Sequence, residues 1–557
     1  MKIACALWFA VAALAQTLSE PKPAVVEGKV MNSVTGEAVR KAELTLTTDL
    51  MPDNFAEMAA QLGLDTGAAS AVPKPKEPKK TFTATSDAAG KFRFDHVEPG
   101  DYFFTVKHAG FVDLNYKSSG PGRSDGMLHL KAGQELPDVE LRLVPQGAAA
   151  GKVIDEDGDP VANAMVTAEA VSFSSGRRRL QMTDSAMSND RGEFRLGKLP
   201  PGRYYIAAEV INLNPMGSVP PPPKDGQPET GYVCTYFPKA TDSSLAEAVD
   251  VKAGVDVPGL TIQLQKSRVV RVKGQAVGED GKPLKGAQIM LMAGGRPGSM
   301  RMVMVNDPEG KFELANVTPG TYMAMVMQLQ DRKMVQQPLI VPNENLSDVK
   351  LGTVAEGSLQ GRVNVMGDGK VALKGLAIML GGDEDSPVMP VSAVADESGA
   401  FLLKKVLSAS YQLNVQNVPA GAYLKSVLWN GKEKLGEPFD FSAGAAGELQ
   451  VFLGTDGGAF DAKVSRGDKP ISDATVVLLP EDPSRRNPET TRSESTDEAG
   501  HVAFKDVPPG DYLAIAWEKV EDGDWFDPAV VKAAGGVRVA IAPKDSQHMD
   551  LKAVPAK

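Results

Sequence analysis

Seven residue positions return five times along the chain at intervals of about 100 residues, and a repeat of that length constrains the fold more than any other property. Asp87, Gly90, Phe92, Val97, Pro99, Gly100 and Tyr102 set the pattern. The same offsets recur at Asn189, Gly192, Phe194, Leu199, Pro201, Gly202 and Tyr204, and again at Asp307, Gly310, Phe312, Val317, Pro319, Gly320 and Tyr322. A fourth copy keeps Asp396, Gly399, Phe401, Val406 and Tyr411 but has Ser408-Ala409 where Pro-Gly stands elsewhere. A fifth, Asp497, Gly500, Val502, Val507, Pro509, Gly510 and Tyr512, replaces only the Phe. Each position has a mechanical use. An Asp or Asn that bonds its own backbone two residues on, followed by a Gly free to take positive φ, makes a tight turn between strands. Phe92 and Phe94 alternate as in a half-buried strand, Pro-Gly fits the central positions of a type II turn, and Tyr102, Phe104 and Val106 line one face of the next strand.

A second signal precedes each copy. Gly28-Lys29-Val30 leads through Thr35-Gly36-Glu37 to Ala42, and Gly151-Lys152-Val153 through Asp157-Gly158-Asp159 to Ala164. Gly274 to Ala287, Gly361-Arg362-Val363 and Phe460 to Ala474 are its later versions. Strand, turn and strand repeated without a long helical period predict an all-β chain of five tandem antiparallel sandwiches, each of seven or eight strands. The expected units are 24–145 with an insertion at 50–80, 146–266, 267–353, 354–454 and 455–557. Residues 73–80 and 220–223 are proline-stiffened insertions inside modules, and 53–64 carry a short amphipathic helical pattern.

The order G-x-V, a TG or DG turn, Ala, then D-x-x-G-x-F and P-G-x-Y resembles the carboxypeptidase regulatory-like domain. The resemblance covers nearly all of the chain after its first residues and implies a prealbumin-like (transthyretin-like) β-sandwich module. The stretches 236–264 and 517–528 further resemble exported multi-module acidobacterial proteins of this type. It implies a non-enzymatic accessory or binding unit, with carbohydrate as one ligand class.

Lys2, the apolar run 3–14 and Ala13-Leu14-Ala15 before Gln16 have the form of a secretory signal over 1–15, cleaved after Ala15. The run is too short to span a bilayer, so no membrane span is expected after cleavage. This places the mature chain in the periplasm, on the outer surface or in the medium. Cys5 leaves with the signal, Cys234 stays alone, and no internal disulfide forms. A formal charge of −11 offers no handle for nucleic-acid phosphates.

Residues present in every copy hold the fold, so function is sought in what is unique. Gly122-Arg123-Ser124-Asp125-Gly126 spells G-x-S-x-G but lacks the strand-to-helix context of a nucleophile elbow. The five histidines are scattered, and no enzyme activity or cofactor is expected. Asp155, Asp157 and Asp159 sit in a repeated hairpin turn without the distal Glu of a calcium loop. Met323, Met325 and Met327 alternate on the outward face of their strand; they are a weak soft-metal candidate and, more simply, a contact surface between modules or partners. Trp517, Asp524, Trp525, Phe526 and Asp527 form an acidic-aromatic stretch unique to the fifth copy. It offers a sugar-stacking platform with hydrogen-bonding carboxylates, or else a Trp packed at a sandwich end. The partner expected is a polysaccharide or a cell-envelope protein. A structural or adhesion stalk and an accessory subunit of a separately encoded degradative enzyme are the alternatives.

Overall fold

The computed structural model describes residues 22–48, 79–116, 127–174, 177–210, 221, 228–278, 281–293, 300–328, 333–352, 357–382, 388, 390–441, 447–521 and 523–555. The signal, the helical pattern at 53–64, the loop 122–126 and most of both proline-rich insertions lie outside these residues. Among them nearly every element is a strand; the single α-helix is Pro528–Ala534.

The first unit shows the plan. Its strands are β1 (Ala24–Asn32), β2 (Glu43–Thr47), β3 (Thr81–Thr85), β4 (Lys91–Val97), β5 (Gly100–Lys107), β6 (Leu114–Tyr116), β7 (Leu128–Leu130) and β8 (Glu135–Leu143). One sheet has the order β4-β1-β8; the other has β3-β2-β5-β6, with β7 also on β5. Val26, Val30, Leu44, Leu46, Phe92, Phe94, Tyr102, Phe104 and Val106 meet between the sheets as one core, which gives the alternation read from the sequence its physical cause. Four further pairs of sheets follow along the chain, each around its own core.

The recurring polar residue works as its chemistry predicts. Asp87 accepts from the N–H groups of Ala89 and Lys91, both at 2.8 Å. Asn189, Asp307, Asp396 and Asp497 repeat both bonds. Asp155 does the same for Asp157 and Asp159, so its carboxylate is spent on a turn. The repeated Tyr also has a use: the hydroxyls of Tyr102, Tyr204, Tyr322 and Tyr512 each donate to the carbonyl four residues back, at 2.6–2.9 Å. In the fourth unit, where Ser408-Ala409 replaces Pro-Gly, the Tyr411 hydroxyl instead accepts from the Leu407 N–H at 3.0 Å.

Three features depart from the sequence reading. First, the sandwiches are not purely antiparallel: in every unit the first and last strands pair in parallel, as β1 with β8 and Gly458–Arg466 with Ser546–Lys552. Alternation fixes which face a strand buries but not the direction of its neighbour. Second, the Pro-Gly pair does not form a type II turn with a left-handed Gly. Gly100 and Gly320 have φ of 158° and 153° and open the next strand. The left-handed residues lie just upstream, at His96, Asn316, Lys405 and Asp506, in a β-bulge where two residues oppose one. Third, a buried hydroxyl precedes the turn residue in three units. Ser86 Oγ accepts from the Ala42 N–H at 2.8 Å and donates to the Val39 carbonyl at 2.7 Å, and Ser188 and Thr496 do the same. Each satisfies two backbone groups at the end of a strand.

Candidate functional site

In the fifth unit the sheet carrying Gly510–Trp517 is apolar on both faces. Val476, Leu478, Tyr512, Ala514 and Ala516 point into the sandwich, whereas Val477, Leu479, Ile515 and Trp517 point out of it. Such an outer face requires a cover. The chain after Glu518 supplies it, as the 3-10 turn Asp524–Phe526 and the helix Pro528–Ala534 lay Trp525 and Val531 on those side chains. Trp525 is 7% exposed and Trp517 4%, so the stacking platform expected of Trp525 is replaced by packing. Asp527 caps the helix, accepting from the Ala529 N–H at 2.7 Å. Phe526 is half-buried against the same cluster. Burial, then the charges of Glu521 and Asp527, hold the Asp524 carboxyl above its ordinary range. The structure thus brings the five residues together, with Asp524, Trp525, Phe526 and Asp527 in a lid over the sheet that carries Trp517.

Two of the three methionines of the stripe are also covered, while Met327 is half-buried outside the fourth unit's core. Tyr322, Ala324 and Val326 enter the third core, as their alternation predicts. Met323, 1% exposed, and Met325 turn the other way, into the core of the fourth unit. Adaptable thioethers suit a seam between two separately folded surfaces.

Other junctions are polar, and sequence patterning gives no sign of them. Arg271, its side chain 2% exposed, makes a bidentate contact with Glu229 of the second unit, at 2.8 and 2.9 Å, and reaches Glu313 of its own unit at 2.6 Å. Arg301 pairs with Glu209 across the same seam at 2.9 Å, and its Nε donates to the Asn316 carbonyl. Between the fourth and fifth units, the Tyr423 hydroxyl donates to Asp456 at 2.7 Å and the Gly421 N–H to Asp506 at 2.9 Å. The first and second units are joined by a backbone bond from the Gln146 N–H to the Gly110 carbonyl. The chain also folds back on itself. Gly523 lies against Phe173 of the second unit, with a Cβ at that glycine only 3.2 Å from the Phe173 Cβ, and Tyr116 of the first unit feels Asp473 and Glu498 of the fifth.

Among the described residues, the buried Glu169 carboxyl is met by hydroxyls and not by a cation. Glu169, 1% exposed, accepts from Tyr236 at 3.1 Å and Thr167 at 3.2 Å. Burial pushes it up to about 7, against the pull of those two hydroxyls. Among the described residues, no three His, Cys, Asp or Glu side chains converge as a metal set, and no helix is long and apolar enough to cross a membrane. Arg466, of the Arg466-Gly467-Asp468 turn, is ion-paired with Glu518.

Fold and junctions together define a tandem β-sandwich protein. Residues 149–218, within the second unit, match the family model of the carboxypeptidase regulatory-like domain. Colossin-A of Dictyostelium discoideum is 25% identical over 278 residues, which are 49% of this chain and 2% of that protein. Among solved structures, the TIE protein of Bacillus anthracis is 15% identical, with 74% of this chain and 75% of that one covered at a TM-score of 0.17. A minor pilin of Streptococcus agalactiae is 13% identical, with 44% and 96% covered at a TM-score of 0.22.

Proposed function

We propose that the chain is an exported, non-enzymatic binding and scaffold protein of the cell envelope. The observation that carries this reading is where the non-repeated residues are used. Arg271, Arg301, Met323 and Met325 hold one sandwich against the next, and the lid bearing Trp525 bears on the second unit. A chain that commits its distinctive side chains to fixing the mutual placement of modules is built to present surfaces at set positions. The fold-back contacts favour a compact scaffold over an extended adhesion stalk, and the accessory role beside a separately encoded enzyme differs from it only in the identity of the partner. Cross-linking of the native chain in intact cells, with N-terminal sequencing of the recovered protein, tests this. A chain beginning at Gln16 and linked to envelope material is expected; an intact Met1 on protein linked only to cytoplasmic components overturns the reading.

A further inference from the structure

Where the second, fourth and fifth units meet, the surface closes into a cleft of ≈ 230 Å³. Its floor is the outer face of the fourth unit's sheet, where Met379 and Gly381 on one strand pair with Asn414 and Gln412 on the next. Asn487 and Glu489 of the fifth unit form a wall and Arg179 of the second the rim. Nothing lies within 4 Å of where a Gly381 Cβ would stand, and the Gly381 backbone is not left-handed, so the space comes from a missing side chain in an ordinary strand.

The polar groups here are not consumed by the interface. Asn414 Nδ2 donates to Glu489 at 2.8 Å, but Asn414 Oδ1 and Gln412 Nε2 are buried without a hydrogen-bond partner. A buried acceptor and a buried donor left open two residues apart on one strand face are each costly unless something meets them. Asn487, in contrast, is engaged at both ends of its amide, accepting from the Glu489 and Thr490 N–H groups and donating to the Arg485 carbonyl. One guanidinium and one carboxylate face the same space, so the lining has no net charge. The volume lies below the roughly 300–1,000 Å³ of sites for drug-sized ligands.

We propose that this three-module cleft binds a small, uncharged polyhydroxyl ligand, a single sugar residue, with Gln412 donating to and Asn414 accepting from its hydroxyls. A hydroxyl does both, which one amide donor beside one amide acceptor requires, and a neutral ring suits a balanced lining. This assignment goes beyond the scaffold reading and stands independently of it. The test is calorimetric titration of the full chain with D-glucose, D-galactose, D-mannose and N-acetyl-D-glucosamine, and with D-glucuronate as a charged control. Saturable binding of at least one neutral sugar is expected. Gly381→Val, which fills the cleft, and Gln412→Leu, which removes the donor, should each weaken it roughly tenfold or more. If Gly381→Val alters the far-ultraviolet spectrum or melting, Gln412→Leu alone decides. Silence with all four neutral sugars, glucuronate binding as tightly as the best of them, or unchanged affinity in Gln412→Leu overturns the proposal, and the cleft is then a water-filled seam.

Discussion

The Gly of G-x-V faces the Phe of the next repeat signal across two strands in four units: Gly28 opposite Phe92, Gly151 opposite Phe194, Gly274 opposite Phe312 and Gly361 opposite Phe401. In the fifth unit both change together, to Ala462 opposite Val502. A methyl group at Gly361 would fall 2.2 Å from the Phe401 ring, and at Gly28 it would fall 1.9 Å from the Val139 carbonyl on the parallel neighbour. In the fifth unit the methyl of Ala462 is accommodated and buried in the core opposite Val502. Glu169 shows the same close dependence of one group on its surroundings. Its carboxyl is raised to about 7 in the fold, from an ordinary 4.5, chiefly by burial. The folded state therefore holds the proton more tightly than the unfolded chain does. Stability is highest below the unfolded value, falls as pH rises from about 4.5 through 7, and levels off above, with roughly 3 kcal/mol lost in all. Glu169→Gln mimics the protonated carboxyl, keeping one acceptor and placing an amide donor where the second oxygen stood beside the Tyr236 and Thr167 hydroxyls, and should melt above the parent at pH 8, with the difference much smaller at pH 5. Denaturant titrations at both pH values check this; an equal gap at the two would refute it.

At the scale of elements, the lid Asp524–Ala534 is bound to its sheet by Trp525 and Val531. Replacing Trp525 with Ala empties a buried aromatic site and should cost roughly 3–5 kcal/mol. A lowered melting temperature and a loss of blue-shifted tryptophan emission are expected. Unchanged melting with impaired sugar binding would restore the stacking role. The turns, the inward faces and the repeat of the sandwiches were legible in the sequence because Asp87, Gly90 and Tyr102 act through local geometry and because alternation reports burial directly. Trp525 was not, since Glu521, Asp524 and Asp527 around it read as a wet loop and its burial depends on a sheet face formed elsewhere in the chain. Arg271 and Arg301 were hidden for the same reason: an isolated charged residue reads as surface until its partner carboxylate is brought to it. Gln412 and Asn414 carried no signal at all, because polar residues alternating with Tyr411 and Leu413 on a strand look like an ordinary solvent face.

For the whole molecule, the junctions set how independently the units unfold. Arg301 and Glu209 are 9% and 7% exposed, so the pair is largely desolvated and breaking it is costly. Arg301→Ala should cost about 3–5 kcal/mol and should split a joint transition of the second and third units into two in scanning calorimetry. The companion change Glu209→Gln in the same chain should recover part of the loss. If Arg301→Ala leaves the thermogram unaltered, the pair does not couple the units.

The parallel pairing of first and last strands has a mechanical consequence. Because Gly458–Arg466 and Ser546–Lys552 run in the same direction, the chain enters the sandwich at one end of this pair and leaves it at the other. Tension between entry and exit is then directed along the two strands, and their seven matched residue positions, from Ala459 opposite Ser546 to Ser465 opposite Lys552, share the load in shear. An antiparallel terminal pair would put both chain ends together and peel open one rung at a time. All five units have this arrangement, so a pull on the chain meets five such shear clamps in series.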